Sequence, residues 1–186
     1  MPFRLSLSER AVLALYHLGW YLILPLVMLR LWWRGRRQPE YREHILERFG
    51  IYPTLPDTLP LLWVHAVSVG ETRAAEPLVR QLLAQYPEAK VLLTHMTPTG
   101  RATSQTLFAD CAPRVITAYL PYDFPLACRG FIRHFQPQLG VLMETEIWPT
   151  LIHQAAPLFP VSLVNARLSA RSARGYQRLR ALIRPA

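Results

Sequence analysis

Three acidic side chains stand where they could do chemistry. Glu71 ends the stretch WVHAVSVGE (63–71), and Glu144 and Glu146 fall within METEIWP (143–149). Each follows an apolar run, where a carboxylate is costly to bury and must be paired or used. Glu71 projects from the opening of a helix, whose macrodipole favours the ionised form and so suits a base. The same Ser68-x-x-Glu71 spacing is also a capping box, in which each side chain satisfies the other's orphan N–H. Glu144 and Glu146 are two residues apart, so strand alternation turns both to one side; a salt-bridged cap is the competing reading.

Other residues gather at corresponding places. Gly70 allows a tight backbone turn beside Ser68. Thr97-Pro98-Thr99-Gly100-Arg101 offers an N-cap, proline at the first helical position and free amides beside a cation, which suits either plain helix initiation or an anion. Asn165 and Arg167 close a later strand and can aim at the same crevice. Asp123, in PYDFP (121–125), reads as a turn residue capping the next helix, without chemistry. His65 and His95 lie in or at the ends of strands and read as core histidines, since no paired ligand motif accompanies them.

The elements that position these residues follow from hydrophobic patterning. Strands are expected at 61–67, 90–96, 115–121, 139–145 and 160–166, and helices at 71–86, 98–109, 124–136 and 149–156. Five nearly continuous apolar strands separated by helices imply a parallel sheet covered on both faces, a Rossmann-like α/β domain. Ligands of such sheets bind beyond the carboxyl ends of the strands, where every candidate above lies.

The 186 residues suit one domain with an appendage, and 51% hydrophobic against 18% charged content argues against disorder. The net charge of +9 is carried by the flanks: residues 1–50 hold eight Arg and four Glu, residues 147–186 six Arg and no acid. Basic flanks suit an anionic partner such as acidic lipid. Nucleic acid is disfavoured, because the arginine-rich end has Tyr176 as its one aromatic platform. Cys111 and Cys128 have no CxxC spacing, so neither a disulfide framework nor a zinc site is supported, and no metal is expected. The chain also lacks GxGxxG and GxxxxGK[ST].

Residues 11–33 are apolar for about the length a helix needs to cross a bilayer. No small-residue cleavage site follows, which disfavours a secretory signal; a membrane anchor is expected, and a helix lying in the interface is the alternative. Arg34, Arg36, Arg37 and Arg42 after the run outnumber Arg4 and Arg10 before it, placing the rest of the chain in the cytoplasm. The expected organisation is an anchor with its basic flank (1–35), a proline-rich linker (36–60), the α/β lobe (61–168) and a basic amphipathic helix (169–186).

Together WVHAVSVGE, LLTHMTPTGR (92–101), LPYD (120–123), METEIWP and NARLSARSARGY (165–176) resemble the Kdo transferases, which add 3-deoxy-D-manno-octulosonic acid to lipid A precursor. The resemblance implies an enzyme of lipopolysaccharide synthesis at the bacterial inner membrane, with two Rossmann-like lobes in the GT-B arrangement. It implies CMP-Kdo as donor, the tetraacylated disaccharide bisphosphate (lipid IVA) as acceptor, and inversion at the anomeric carbon. In the family's terms Glu71 matches the general base and Glu144 the transition-state stabiliser, with Ser68, Gly70, Thr97, Thr99, Arg101, Glu146, Asn165 and Arg167 around the substrates. Family members continue into a second, nucleotide-binding lobe, so this chain is expected to bind acceptor without turnover. The competing expectation is a non-catalytic, membrane-tethered α/β module that binds acidic lipid.

Overall fold

The computed structural model describes residues 6–55, 59–144 and 148–166. Five parallel strands, β1 (Leu61–His65), β2 (Lys90–His95), β3 (Val115–Tyr119), β4 (Leu139–Met143) and β5 (Val161–Val164), lie in the order β3-β2-β1-β4-β5. Helices α2 (Val69–Gln85), α3 (Pro98–Leu107), α4 (Pro125–Phe135) and α5 (Pro149–Ala155) alternate with them. The expected α/β sheet is therefore present, with strands ending a residue or two earlier than the apolar runs suggest.

Strand alternation divides the core. Leu61 and Trp63 of β1 face Phe131, Phe135, Leu151 and Ile152 of α4 and α5, while Leu62 and Val64 face Ala75, Val79 and Leu82 of α2. Both faces are thus covered, which is why the strands read as continuous apolar runs. The chain winds from β1 outward through β2 to β3, then crosses back to add β4 on the other side of β1. That reversal makes a topological switch point between β1 and β4, the place where open α/β sheets leave a crevice beyond their carboxyl ends.

A 28-residue helix, α1 (Leu7–Arg34), precedes the lobe and starts with a capping box between Ser6 and Glu9. It is long and apolar enough to cross a membrane. It does not stand clear of the lobe, however. One stripe docks along it: Tyr16 donates to Asp123 at 2.9 Å, His17 bonds Thr150, Trp20 stacks on Tyr122, Leu24 and Val27 pack on Phe124 and Ala127, and Leu31 is buried. The opposite stripe, Leu15, Leu18, Leu22, Leu26, Leu29 and Trp33, is exposed, Leu22 to 71%. Both stripes recur at three- and four-residue steps, so the helix is apolar on two faces and only one is used by the chain.

Residues 36–55 are not a free linker. Two short 3-10 turns pack on what precedes and follows them: Pro39–Arg42 folds back on the end of α1, burying Tyr41 beneath Arg34, and Ile45–Phe49 folds onto the lobe, burying Glu47 and Arg48, while Tyr52 packs among Phe131 and Phe135. Gly50 ends the second turn at φ +77°, and a side chain there would strike the Ala127 carbonyl of α4. Gly130 of α4 is under the reciprocal constraint from the Gly50 carbonyl, so two glycines let this segment cross α4 in backbone contact. The proline-rich composition signals irregular backbone, not detachment. The expected terminal helix at 169–186 lies outside the described residues.

Candidate active site

Glu71 enters the first turn of α2 with its carboxylate buried and hydrogen-bonded. One oxygen accepts from the Val67 N–H at 2.8 Å and the other from the Ser68 hydroxyl at 2.9 Å, while Ser68 Oγ accepts weakly from the Glu71 N–H at 3.4 Å. The capping reading is thus met, shifted by one residue, since the amide reached is that of Val67 and not that of Ser68. It does not exhaust the group: an ionised carboxylate offers about four acceptor directions, of which two are used here.

Thr97 completes the same corner. Its hydroxyl donates to the Val67 carbonyl at 3.2 Å and accepts from the Gly100 N–H at 3.1 Å, so the two peptide groups of Val67 are held by Glu71 and Thr97. Gly100 lets α3 approach this closely, because a Cβ there would lie 3.1 Å from both Thr97 Oγ1 and the Val67 carbonyl. Thr99 is exposed beside Thr97, its hydroxyl 3.4 Å away. Ser68, Glu71, Thr97 and Thr99 therefore form one cluster beyond β1 and β2.

Glu144 and Asn165 form a second cluster beyond β4 and β5. Glu144 donates its N–H to the Val164 carbonyl at 2.9 Å, and both residues turn off their strands in the left-handed region, at φ +58° and +56°. Left-handed backbone at residues other than glycine costs on the order of 1 kcal/mol and concentrates at ligand sites. The clusters adjoin across the switch point. β1 and β4 are parallel neighbours, so Val67, whose amide holds the Glu71 carboxylate, and Glu144 both follow the carboxyl ends of adjacent strands, two residues after His65 and one after Met143. Both acids thus lie on one rim, with no cation bonded to either among the described residues.

Two expected members take other roles. Gly70 sits in ordinary helical backbone within α2, where a Cβ would make only ordinary contact with Ser68 Oγ at 3.9 Å, so no tight turn requires it. Arg101 is committed below the rim: its guanidinium makes a bidentate ion pair with Glu47 at 2.6 and 3.3 Å, donates to the Thr117 carbonyl and lies over the Tyr119 ring. Thr97 caps the helix, and the adjacent cation serves the fold. Glu146 and Arg167 lie outside the described residues.

Asp123 is a structural centre that the sequence disguised. Its carboxylate caps α5, not the adjacent α4, accepting from the Thr150 and Leu151 amides at 3.0 and 2.8 Å and from Tyr16 of α1. The only sequence signal was the acid in a turn, and the partner lies 27 residues away.

The histidines are core residues, as expected. His95 Nδ1 faces the Ala66 carbonyl at 2.8 Å and therefore carries the proton, leaving Nε2 to accept from the Ser104 hydroxyl at 2.9 Å. Burial pushes its pKa down to about 4, and burial with the neighbouring His95 pushes that of His65 down to about 3. Both are neutral at physiological pH. Among the described residues no three His, Cys, Asp or Glu side chains cluster as metal ligands would.

Residues 43–186 match the family model described as 3-Deoxy-D-manno-octulosonic-acid transferase (kdotransferase). The chain is 42% identical over 162 residues to the 3-deoxy-D-manno-octulosonic acid transferase of Haemophilus influenzae, covering 84% of this chain and 36% of that one. It is 46% identical over 157 residues to the Bordetella pertussis enzyme of the same name, covering 81% and 36%. A probable mitochondrial 3-deoxy-D-manno-octulosonic acid transferase of Arabidopsis thaliana is 35% identical over 162 residues, covering 87% and 36%. The chain thus spans about a third of the length of these curated relatives.

Proposed function

The chain belongs to the 3-deoxy-D-manno-octulosonic-acid transferase family, and from that premise we propose that it is the acceptor-side lobe of a glycosyltransferase moving Kdo from CMP-Kdo to lipid A precursor in lipopolysaccharide synthesis. The observation that carries the reading is the placing of Glu71 and Glu144 on one rim of the sheet, on either side of the switch point between β1 and β4. In the proposed mechanism Glu71 takes the proton of the acceptor hydroxyl as its oxygen attacks the Kdo anomeric carbon. The bond from that carbon to the CMP phosphate oxygen breaks and the electron pair leaves with CMP. Positive charge develops on the sugar as in other glycosyl transfers, and Glu144 offsets it; attack opposite the leaving group inverts the anomeric centre. Ser68 and the Val67 amide hold the Glu71 carboxylate in place, and Thr97 holds the Val67 peptide from its other side.

The setting we propose is the cytoplasmic surface of the bacterial inner membrane. A helix docked along the lobe from Tyr16 to Leu31 is not free to stand upright in a bilayer with the lobe outside it. An in-plane position meets both faces: one stripe on the lobe, the other, Leu15 to Trp33, in the acyl boundary. Arg36 and Arg37 stack over Trp32 and Trp33, a cation and an aromatic ring together at headgroup level.

The test joins this chain to the second lobe of the Haemophilus influenzae relative and follows transfer of labelled Kdo to lipid IVA. Glu71→Gln is expected to lower kcat by about a hundredfold or more while acceptor binding by the chain alone persists. The filled capping arrangement at Ser68 favours a second reading, a non-catalytic module, and transfer retained by Glu71→Ala would decide for it.

A further inference from the structure

Between α1 and the lobe lies a cavity of about 300 Å³ with an unusual lining. Trp20, Val27 and Leu31 line it together with Arg30, Arg34 and Arg48, the Arg34 guanidinium lying 4.4 Å from the ring centre of Tyr41, another lining residue. Arg48 is 2% exposed; its two terminal nitrogens donate to the Met96 carbonyl at 3.3 Å, its plane lies 4.0 Å from the Tyr119 ring centre, and its buried Nε has no partner among the described residues. No carboxylate among the described residues forms an ion pair with any of the three. A carbonyl and the rings of Tyr119 and Tyr122, the second 6.0 Å away, are weak compensation for a buried cation, which ordinarily requires an anion. The contrast is close at hand: Arg101 lies over the same Tyr119 ring and its Nε is likewise without a partner among the described residues, but its terminal nitrogens are paired with the Glu47 carboxylate.

We propose that this cavity is a clamp for a phosphomonoester carried on a membrane lipid, held by Arg30, Arg34 and Arg48. A phosphomonoester bears close to two negative charges and three free oxygens, which suits several planar guanidinium forks better than a singly charged diester. The lipid assignment rests on the in-plane reading of α1 given above. That helix supplies the apolar wall of the cavity, and at its edge Arg30 stands one helical turn from the exposed Leu26, so a headgroup held here reaches the acyl boundary along that edge. The clamp would thereby fix the depth and orientation of a phosphorylated acceptor relative to the rim at Glu71.

The test uses the whole chain and phosphatidylcholine vesicles doped with phosphatidic acid, a monoester, or with phosphatidylglycerol, a diester, at matched surface charge. Affinity measured by co-sedimentation is expected to be about tenfold higher on phosphatidic acid, the worth of one charge-assisted hydrogen bond to a buried cation. Arg30→Gln with Arg34→Gln is expected to bring the ratio near one. Arg36→Gln with Arg37→Gln, an equal loss of charge outside the cavity, should weaken both vesicles and keep the ratio. Equal affinity of the unmodified chain for the two vesicles, or a ratio that survives in the Arg30/Arg34 variant, would overturn the clamp. Absence of binding to either vesicle would overturn the in-plane helix and the lipid assignment with it. Inorganic phosphate protecting the chain from thermal unfolding as well as phosphatidic acid vesicles do would assign the cavity to a free anion. Kdo transfer is read by none of these measurements, so the catalytic proposal stands or falls separately.

Discussion

Replacing Asp123 tests how α1, the sheet and α5 are tied together. The residue is 1% exposed and its carboxylate serves four donors: the Thr150 N–H at 3.0 Å, the Leu151 N–H at 2.8 Å, the Tyr16 hydroxyl at 2.9 Å and, weakly, the Cys128 thiol at 3.5 Å. Asp123→Ala leaves two amides at a helix start without their acceptor and strands a phenol. Orphaned buried donors cost about 1–3 kcal/mol each, so the loss should total about 3–5 kcal/mol. Against a typical domain stability of about 5–15 kcal/mol, that brings the chain close to unfolding. Asp123→Asn keeps the shape and one acceptor oxygen and should cost about half as much; Tyr16→Phe removes one donor and should cost about 1 kcal/mol. The Tyr16→Phe loss should largely vanish in the Asp123→Ala background, since the two changes remove the same bond. Urea unfolding in mild detergent, followed by tryptophan fluorescence, measures all four. An Asp123→Ala loss below about 1 kcal/mol, or additive effects of the two substitutions, would refute the account.

Acid should destabilise the lobe through His65 and His95, whose folded pKa values of about 3 and about 4 lie below the ordinary value of 6.5. Because the unfolded chain takes up protons that the folded one refuses, stability is full above pH 6.5 and falls as pH drops toward 4, by about 1.4 kcal/mol per pH unit for each histidine. Urea midpoints at pH 7, 6 and 5 check this, and His95→Gln should flatten the slope by about half of the histidine contribution. Glu47→Ala should cost about 3–5 kcal/mol, because it strands Arg101 and the Tyr119 N–H, which donates to Glu47 at 2.7 Å. Adding Arg101→Met should recover part of that loss in thermal unfolding, since a buried pair removed whole is less harmful than one partner left behind.

Much of this molecule was legible as a linear pattern. Nearly continuous apolar runs such as LLWVH and KVLLTH announce strands buried on both faces, and their alternation with helix-length segments announces a parallel sheet. The capping signals Ser68 and Thr97 place two helix starts correctly, because such hydrogen bonds join residues three apart. Partners distant along the chain were not legible. Asp123 sits where a cap for α4 belongs, yet serves α5; Arg101 sits where a ligand would be met, yet pairs with Glu47, 54 residues earlier. Glu47 and Arg48 carry no local signal of burial, and their proline-rich surroundings suggested a tether.

Local hydrogen bonding and burial periodicity repeat every two, three or four residues, so the sequence alone determines the elements, their order and the chemical types at the strand ends. Which charges answer one another depends on the winding of the sheet, which brings β1 beside β4, and on the packing of residues 45–52 against β3 and α4. Only the tertiary structure therefore decides that Glu71 and Glu144 share a rim, that Arg101 is neutralised while Arg48 is not, and that α1 has one face to give to the lobe and another left over.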